Sequence, residues 1–215
     1  MKKFLSFAII ALAVLTACNI RREKPQGLQS GDLLFQVGSN SKMNEAIASS
    51  TSGNADIDTT FTHVGILLIG GDSTSVLEAA DGGVKITPIA DFINKSLMID
   101  GKPMLVAKRV ADASIVPEAI KRAKSFIGQP YDYYYLPDNG RMYCSELVYD
   151  SYLDADGNPV FSSKPMKFRA ADGSMPQFWT DLFKQLDMDV PEGVQGTNPM
   201  DMSRDSVLIT VMRWQ

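Results

Sequence analysis

The chain has 215 residues, 45% of them apolar and 21% charged, which excludes both a disordered tail and a bundle of membrane spans. Its 25 acidic residues against 21 basic ones give a formal net charge of -4, a balance that argues against nucleic acid as the main partner. With 2 Cys and 1 His, the chain lacks the four ligands that a structural zinc site of the Cys/His type needs.

Met1-Lys2-Lys3 is a short basic start, and Phe4 to Val14 is apolar apart from Ser6. Leu15-Thr16-Ala17-Cys18 follows. The pattern predicts a bacterial signal peptide over residues 1–17, because the apolar run is short for a membrane span. Leu-Thr-Ala-Cys resembles the lipoprotein signal, in which the cysteine is lipidated and becomes the first mature residue. The expectation is an exported lipoprotein, anchored to a membrane through Cys18 and facing the periplasm. Residues 18–30 are then a polar tether containing Pro25 and Gly27. A lipidated Cys18 leaves Cys144 without an intramolecular partner, which excludes a disulfide scaffold. A lone thiol in an oxidising compartment needs a reason.

Residues 31–215 read as one α+β domain. Leu33 to Val37, after Gly31-Asp32, is a first strand, and Ser41 caps a short helix through Ser49. Residues 50–60 are a polar loop. Thr62 to Ile69 is a strand apolar on both faces around His63, the pattern of a central strand covered on both sides. Gly70-Gly71-Asp72 turns the chain into a strand at Ser75 to Ala80, and Asp81-Gly82-Gly83 turns it again into Val84 to Thr87. A helix near Ile89 to Asn94 and a strand at Met104 to Val110 follow. From Ser114, Ile120, Ala123 and Ile127 keep helical spacing until Gly128.

Gln129 to Gly140 is a Tyr-rich loop, Met142 to Leu153 a second core helix. Asp154-Ala155-Asp156-Gly157-Asn158-Pro159 imitates part of a calcium loop. It lacks the closing glutamate and contains Pro159, so it reads as a turn. Pro176 to Leu186 is an amphipathic helix, and Val207 to Trp214 a final strand.

Candidate chemistry is sparse. His63 is the only imidazole and opens a core strand; Cys144 opens a core helix. A thiol at a helix N-terminus gains from the dipole, which favours thiolate, and a neighbouring imidazole adds to this. That is the Cys/His arrangement for acyl transfer. Taken singly, Cys144 reads better as a packed core thiol and His63 as a hydrogen-bonded structural histidine; it is their joint placement, on strand start and helix start, that raises nucleophile catalysis beside those readings. A tight turn at Gly70-Gly71 pairs residue 63 with Glu78, an acid in the apolar stretch Val76-Leu77-Glu78-Ala79-Ala80. Opposed side chains lie about 5 Å apart at Cβ, so Glu78 is placed to orient the ring. A longer turn moves the register by two residues if the face is kept, and a solvated Glu78 at the mouth of the sheet is the other reading.

Three segments carry a resemblance: Gly31-Asp32-Leu33-Leu34-Phe35; Thr62-His63-Val64-Gly65-Ile66 with Val76-Leu77-Glu78-Ala79; and Tyr131-Asp132 with Tyr143-Cys144-Ser145-Glu146-Leu147-Val148. Together they resemble the circularly permuted NlpC/P60-type branch of papain-fold proteins, the YiiX/YaeF-like group, over roughly residues 31–150. In ordinary NlpC/P60 domains the Cys-bearing helix precedes the His-bearing strands; here His63 precedes Cys144.

The resemblance implies a permuted papain-like fold, an antiparallel sheet or open barrel packed on helices. It further implies Cys144 as nucleophile, His63 as general base and Glu78 as orienting residue, with no cofactor or metal. The implied activity is cysteine-nucleophile acyl chemistry with the acyl group left open; the expected location beside murein makes an amidase or peptidase acting on murein peptides the expected reading. The alternatives are a lipid acyl-ester hydrolase or acyltransferase, and a non-catalytic envelope-binding module. Tyr131, Tyr133 and Tyr143 are the candidate substrate-binding residues: Tyr131 and Tyr143 offer a hydroxyl to the site, with aromatic packing at least as good a reading of each, and Tyr133, Tyr134 and Tyr135 read as the wall of a substrate groove or as a lid or interface. Arg141 and Lys167 are candidate polar receptors. Ser145 and Glu146 are expected to serve the helix start.

Overall fold

The computed structural model describes residues 27–39, 41–51 and 60–214. The expected signal segment, Cys18, most of the tether and the centre of the 50–60 loop lie outside the described residues. In chain order the elements are β1 (Leu33–Gln36), α1 (Lys42–Thr51), β2 (His63–Gly70), β3 (Ser73–Ala80), β4 (Gly83–Pro88), α2 (Ile89–Ile93), β5 (Met98–Ile99), β6 (Lys102–Pro103) and β7 (Leu105–Val110). There follow α3 (Val116–Ser125), α4 (Cys144–Ser151), β8 (Lys164–Pro165), α5 (Gln177–Gln185), β9 (Gln195–Gly196), α6 (Pro199–Ser203) and β10 (Leu208–Arg213). The short pairs β5–β6 and β8–β9, and α6, are absent from the sequence reading. Elements this short bury too little to leave a periodic pattern.

Six strands form one antiparallel sheet in the order β10-β7-β1-β2-β3-β4. Strand β2 is interior and, as expected, covered on both faces. On one face Val64 and Ile66, with Leu77 and Ala79 of β3, pack with Leu147 and Val148 of α4 and Ala119 and Ala123 of α3. On the other, Leu67 and Val76 pack with Leu34, Leu105 and Phe92 of α2. This mixed α+β arrangement, with Cys144 at the start of α4, is the permuted papain-like architecture that the resemblance implies.

The β2–β3 turn falls one residue later than expected. Gly70 pairs with Ser73, and the ladder runs to Ile66 opposite Leu77, so Gly71-Asp72 form the turn. Gly71 has φ 55°, the left-handed backbone that a two-residue hairpin turn demands. The strand-to-strand offset therefore shifts by two residues and the side-chain faces are unchanged. Glu78 keeps the face of His63 but stands diagonally across from it.

The Gly31-Asp32 pair anchors the sheet to the helices. Gly31 has φ 90°, and a Cβ there would lie 2.2 Å from Val116 Cγ1. Its carbonyl accepts a 2.8 Å hydrogen bond from the Tyr152 hydroxyl at the end of α4. Buried Asp32 accepts from the Gln29 N–H at 2.8 Å and from Arg109 Nε at 2.6 Å, fastening the start of β1 to β7. Strand β1, α3 and α4 thus meet at one residue that tolerates no side chain.

Gly31→Ala is expected to lower unfolding free energy by about 2 kcal/mol or more, since the backbone strain and the clash with Val116 act together. Urea denaturation checks this, and an unchanged midpoint contradicts it.

Candidate active site

The start of β2 places the His63 ring at the end of its strand rather than mid-sheet. There it meets Glu78 on its own face while remaining within reach of α4, which packs against the opposite face. His63 Nε2 and Glu78 Oε2 are 2.6 Å apart. The His63 side chain is 17% exposed and that of Glu78 0%. The second carboxylate oxygen, Oε1, accepts from the Thr87 hydroxyl at 2.6 Å, and Lys95 Nζ lies 3.5 Å from it. Thr87 is a site residue that the sequence reading missed. Its signal was strand alternation: Thr87 pairs with Val76, two residues from Glu78 and on the same face.

With Nε2 engaged by Glu78, Nδ1 is the nitrogen left for Cys144, the ring's other hydrogen-bonding and charge partner. Burial pulls the imidazole down, but the hydrogen bonds and charges of Cys144 and Glu78 outweigh it and push the ring up to about 10. Burial drives the Glu78 carboxyl up, but the hydrogen bond and charge of His63, with help from Thr87 and Lys95, outweigh it and hold Glu78 down at about 2. At neutral pH the pair is therefore an imidazolium on a carboxylate. Cys144 is buried at 5% exposure and is the free thiol among the described residues.

The helix start beneath Cys144 is fixed by buried polar groups. The Glu146 carboxylate accepts from the Tyr143 N–H at 3.3 Å, closing the first turn of α4. Burial, with Asp132, Asp150 and Asp138 nearby, pushes Glu146 up to about 8. The Tyr143 hydroxyl accepts from the Thr197 N–H at 3.1 Å, and the Thr197 hydroxyl donates to Ser145 Oγ at 3.0 Å. Residues between β9 and α6 thus strap the helix start. Ser145 and Glu146 serve that start, as expected. The strap itself carries no sequence signal, because its ligands are 52 and 54 residues away.

The Tyr-rich loop is organised by Asp132. Its fully buried carboxylate accepts from the Tyr134 N–H at 2.9 Å and the Leu136 N–H at 3.0 Å. This holds Tyr135 at φ 53°, an uncommon backbone for an aromatic residue.

Two depressions adjoin the thiol–imidazole pair. One, narrow and mostly apolar, is lined by Cys144, Tyr131, Tyr135, Tyr143, Phe168 and Trp179, among others. The other is an open groove bordered by His63, Glu78, Asp81, Lys95, Tyr131 and Tyr133. Tyr131 stands in both, so all three candidate tyrosines border the site. Tyr133 donates to Asp81 at 3.3 Å in the groove, whereas the Tyr143 hydroxyl is already used by Thr197. Lys167 joins the apolar pocket's wall, and Arg141 stacks 5.1 Å from the Tyr134 ring.

The comparisons agree with this geometry. A family model described as "Permuted papain-like amidase enzyme, YaeF/YiiX, C92 family" matches residues 27–212. The uncharacterized protein YiiX of Escherichia coli K12 is 32% identical over 166 residues, covering 76% of this chain and 75% of that protein. The crystal structure of the metalloprotein YiiX from Escherichia coli O157:H7 superposes with a TM-score of 0.68 at 26% identity, over 87% of this chain and 98% of that one. In this chain no group of three or more His, Cys, Asp or Glu side chains among the described residues is arranged to hold a metal ion. Both Glu78 oxygens already have protein partners. These residues do not fit a metal centre. With its family match running from residue 27 to residue 212, the chain belongs to the permuted papain-like amidases of the YaeF/YiiX type and is a cysteine-nucleophile hydrolase.

Proposed function

We propose that Cys144 is the nucleophile, His63 the proton carrier and Glu78 the orienting residue of an amidase that cleaves cell-wall peptides. The carrying observation is the 2.6 Å contact between His63 Nε2 and a Glu78 carboxylate with 0% exposure, beside the free thiol of Cys144. A purely structural histidine needs no such buried anion, and a binding module needs no nucleophile.

The Cys144 sulfur, its proton already carried by His63, attacks the carbonyl carbon of the amide as thiolate; a C–S bond forms and the π pair moves to oxygen. The N–H groups at the start of α4 lack intrahelical acceptors and face the developing charge. As the C–N bond breaks, the imidazolium of His63 gives its proton to the leaving amine. His63 then takes a proton from water, whose oxygen attacks the thioester and releases Cys144. Glu78 keeps the ring oriented and stabilises its charged form throughout.

The pocket beside Cys144 bears on the substrate. Its free space, about 40 Å³, admits a few water-sized groups and suits a short apolar side chain. Short apolar side chains are what murein peptides present, whereas a long acyl chain needs a wider groove. Tyr131 and Tyr133 border the open groove in which the rest of the peptide lies. The proposal includes export and anchoring through a lipidated Cys18, which puts the site beside murein.

Cys144→Ala is expected to abolish turnover of murein fragments. Glu78→Gln, which keeps an acceptor but loses the charge, should lower kcat/KM by roughly tenfold, about 1.4 kcal/mol of barrier. Glu78→Ala should lose more, since His63 is then free to rotate. Assay against murein fragments and acyl esters of matched size reads this; preferential ester cleavage contradicts the amide assignment.

Mass spectrometry of the protein from its native host is expected to find a lipid-modified N-terminal Cys18. An unmodified N-terminus, or one retaining earlier residues, contradicts the anchor.

A further inference from the structure

The apolar pocket beside Cys144 contains one polar group that the fold leaves unused. Tyr135 is 5% exposed, and its hydroxyl has no hydrogen-bond partner of normal geometry among the described residues. The neighbouring Tyr131 phenol acts on it as a weak hydrogen-bonding partner from outside normal geometry, and nothing among the described residues takes its O–H as a donor at hydrogen-bonding geometry. A buried hydroxyl of this kind is disfavoured unless something bonds to it.

Everything else about Tyr135 is tightly specified. Its ring packs against Tyr143 at 5.3 Å, Trp179 at 5.5 Å and Phe168 at 5.8 Å between centroids. Asp132 holds the loop on either side of it, and its backbone sits at φ 53°. Backbone strain held in place by a buried carboxylate is a feature of sites where a side chain must be aimed. Tyr135 and Cys144 line the same pocket, and burial raises the ionisation of the Tyr135 hydroxyl far above the ordinary tyrosine range. The group therefore remains an O–H donor at any working pH.

From the unpartnered hydroxyl, the strained and clamped backbone and the shared pocket, we infer that Tyr135 is a specificity-determining residue that donates a hydrogen bond to the acyl portion of the substrate. This rests on Cys144 being the nucleophile. It adds that the group entering the apolar pocket is small, mostly apolar and carries one acceptor oxygen, as a peptide carbonyl does. A purely hydrocarbon group leaves the hydroxyl buried and unpaired and is selected against, the asymmetry that lets a polar site reject an analogue lacking its partner.

The test compares two alkylating probes on full-length protein, each read by mass spectrometry of the Cys144 peptide. Iodoacetamide carries a carbonyl acceptor; iodoethane is similar in size and carries none. Tyr135→Phe is expected to slow iodoacetamide labelling of Cys144 roughly three- to tenfold, the worth of one hydrogen bond. The iodoethane rate should be unchanged, and the melting temperature unchanged or higher, because the variant removes an unsatisfied buried group. Equal effects on both probes, no effect on either, or a fall in melting temperature overturns the Tyr135 assignment while leaving Cys144 as nucleophile. Iodoethane is used at a concentration that labels a free thiol at a measurable rate; failure of iodoacetamide to label Cys144 in the unmutated protein overturns the nucleophile reading, and the Tyr135 assignment falls with it.

Discussion

A carboxylate with no exposed surface is strongly disfavoured unless its charge is met, and Glu78 is such a group, with both oxygens bonded within the protein. The His63 imidazolium, with Lys95 nearby, supplies the opposing charge, and Cys144 and Glu78 in turn hold the proton on the ring. Because the folded ring holds its proton above the unfolded value near 6.5, its contacts with Cys144 and Glu78 stabilise the fold fully below that pH. That stabilisation is lost as pH rises through about 10. On the carboxylate side the stabilisation is complete above about 4.5 and is lost as pH falls through about 2. The same coupling that stabilises the sheet end keeps a charged imidazole beside the free thiol.

The rest of the fold positions these three side chains. The β2–β3 hairpin brings Glu78 to the face of His63, and β4 adds Thr87 behind it. Helix α4 is located from both ends: Tyr152 ties its last turn to Gly31, and Thr197 ties its first residues to the strap before α6. Cys144 therefore sits on a helix fastened at both ends, while His63 belongs to a sheet fastened by Asp32 and Arg109. A thiol and an imidazole held by separate rigid bodies keep their distance without a flexible loop between them.

Much of this was legible in the chain. Period-two and helical spacing located the six main strands and the larger helices to within a few residues, because those elements bury whole faces. The hairpin arithmetic missed the turn by one residue, yet it assigned Glu78 to the correct face: a slip that preserves parity preserves the face. What escaped was non-local. Thr197 and its strap, together with the Asp132 clamp on Tyr135, depend on partners brought together only by folding. Their short irregular segments carry no periodicity. Tyr135 is indistinguishable in sequence from Tyr133 and Tyr134; only burial and an unmatched hydroxyl separate it.

The central claim is that His63, bonded to buried Glu78, holds its proton next to Cys144 under working conditions. The chain contains one histidine, so its ring gives a single set of imidazole signals in nuclear magnetic resonance. The account predicts that this ring stays protonated through the neutral range and deprotonates only as pH rises through about 10, with Glu78→Gln shifting the transition downward. An imidazole that titrates near its ordinary 6.5, unmoved by Glu78→Gln, contradicts the account.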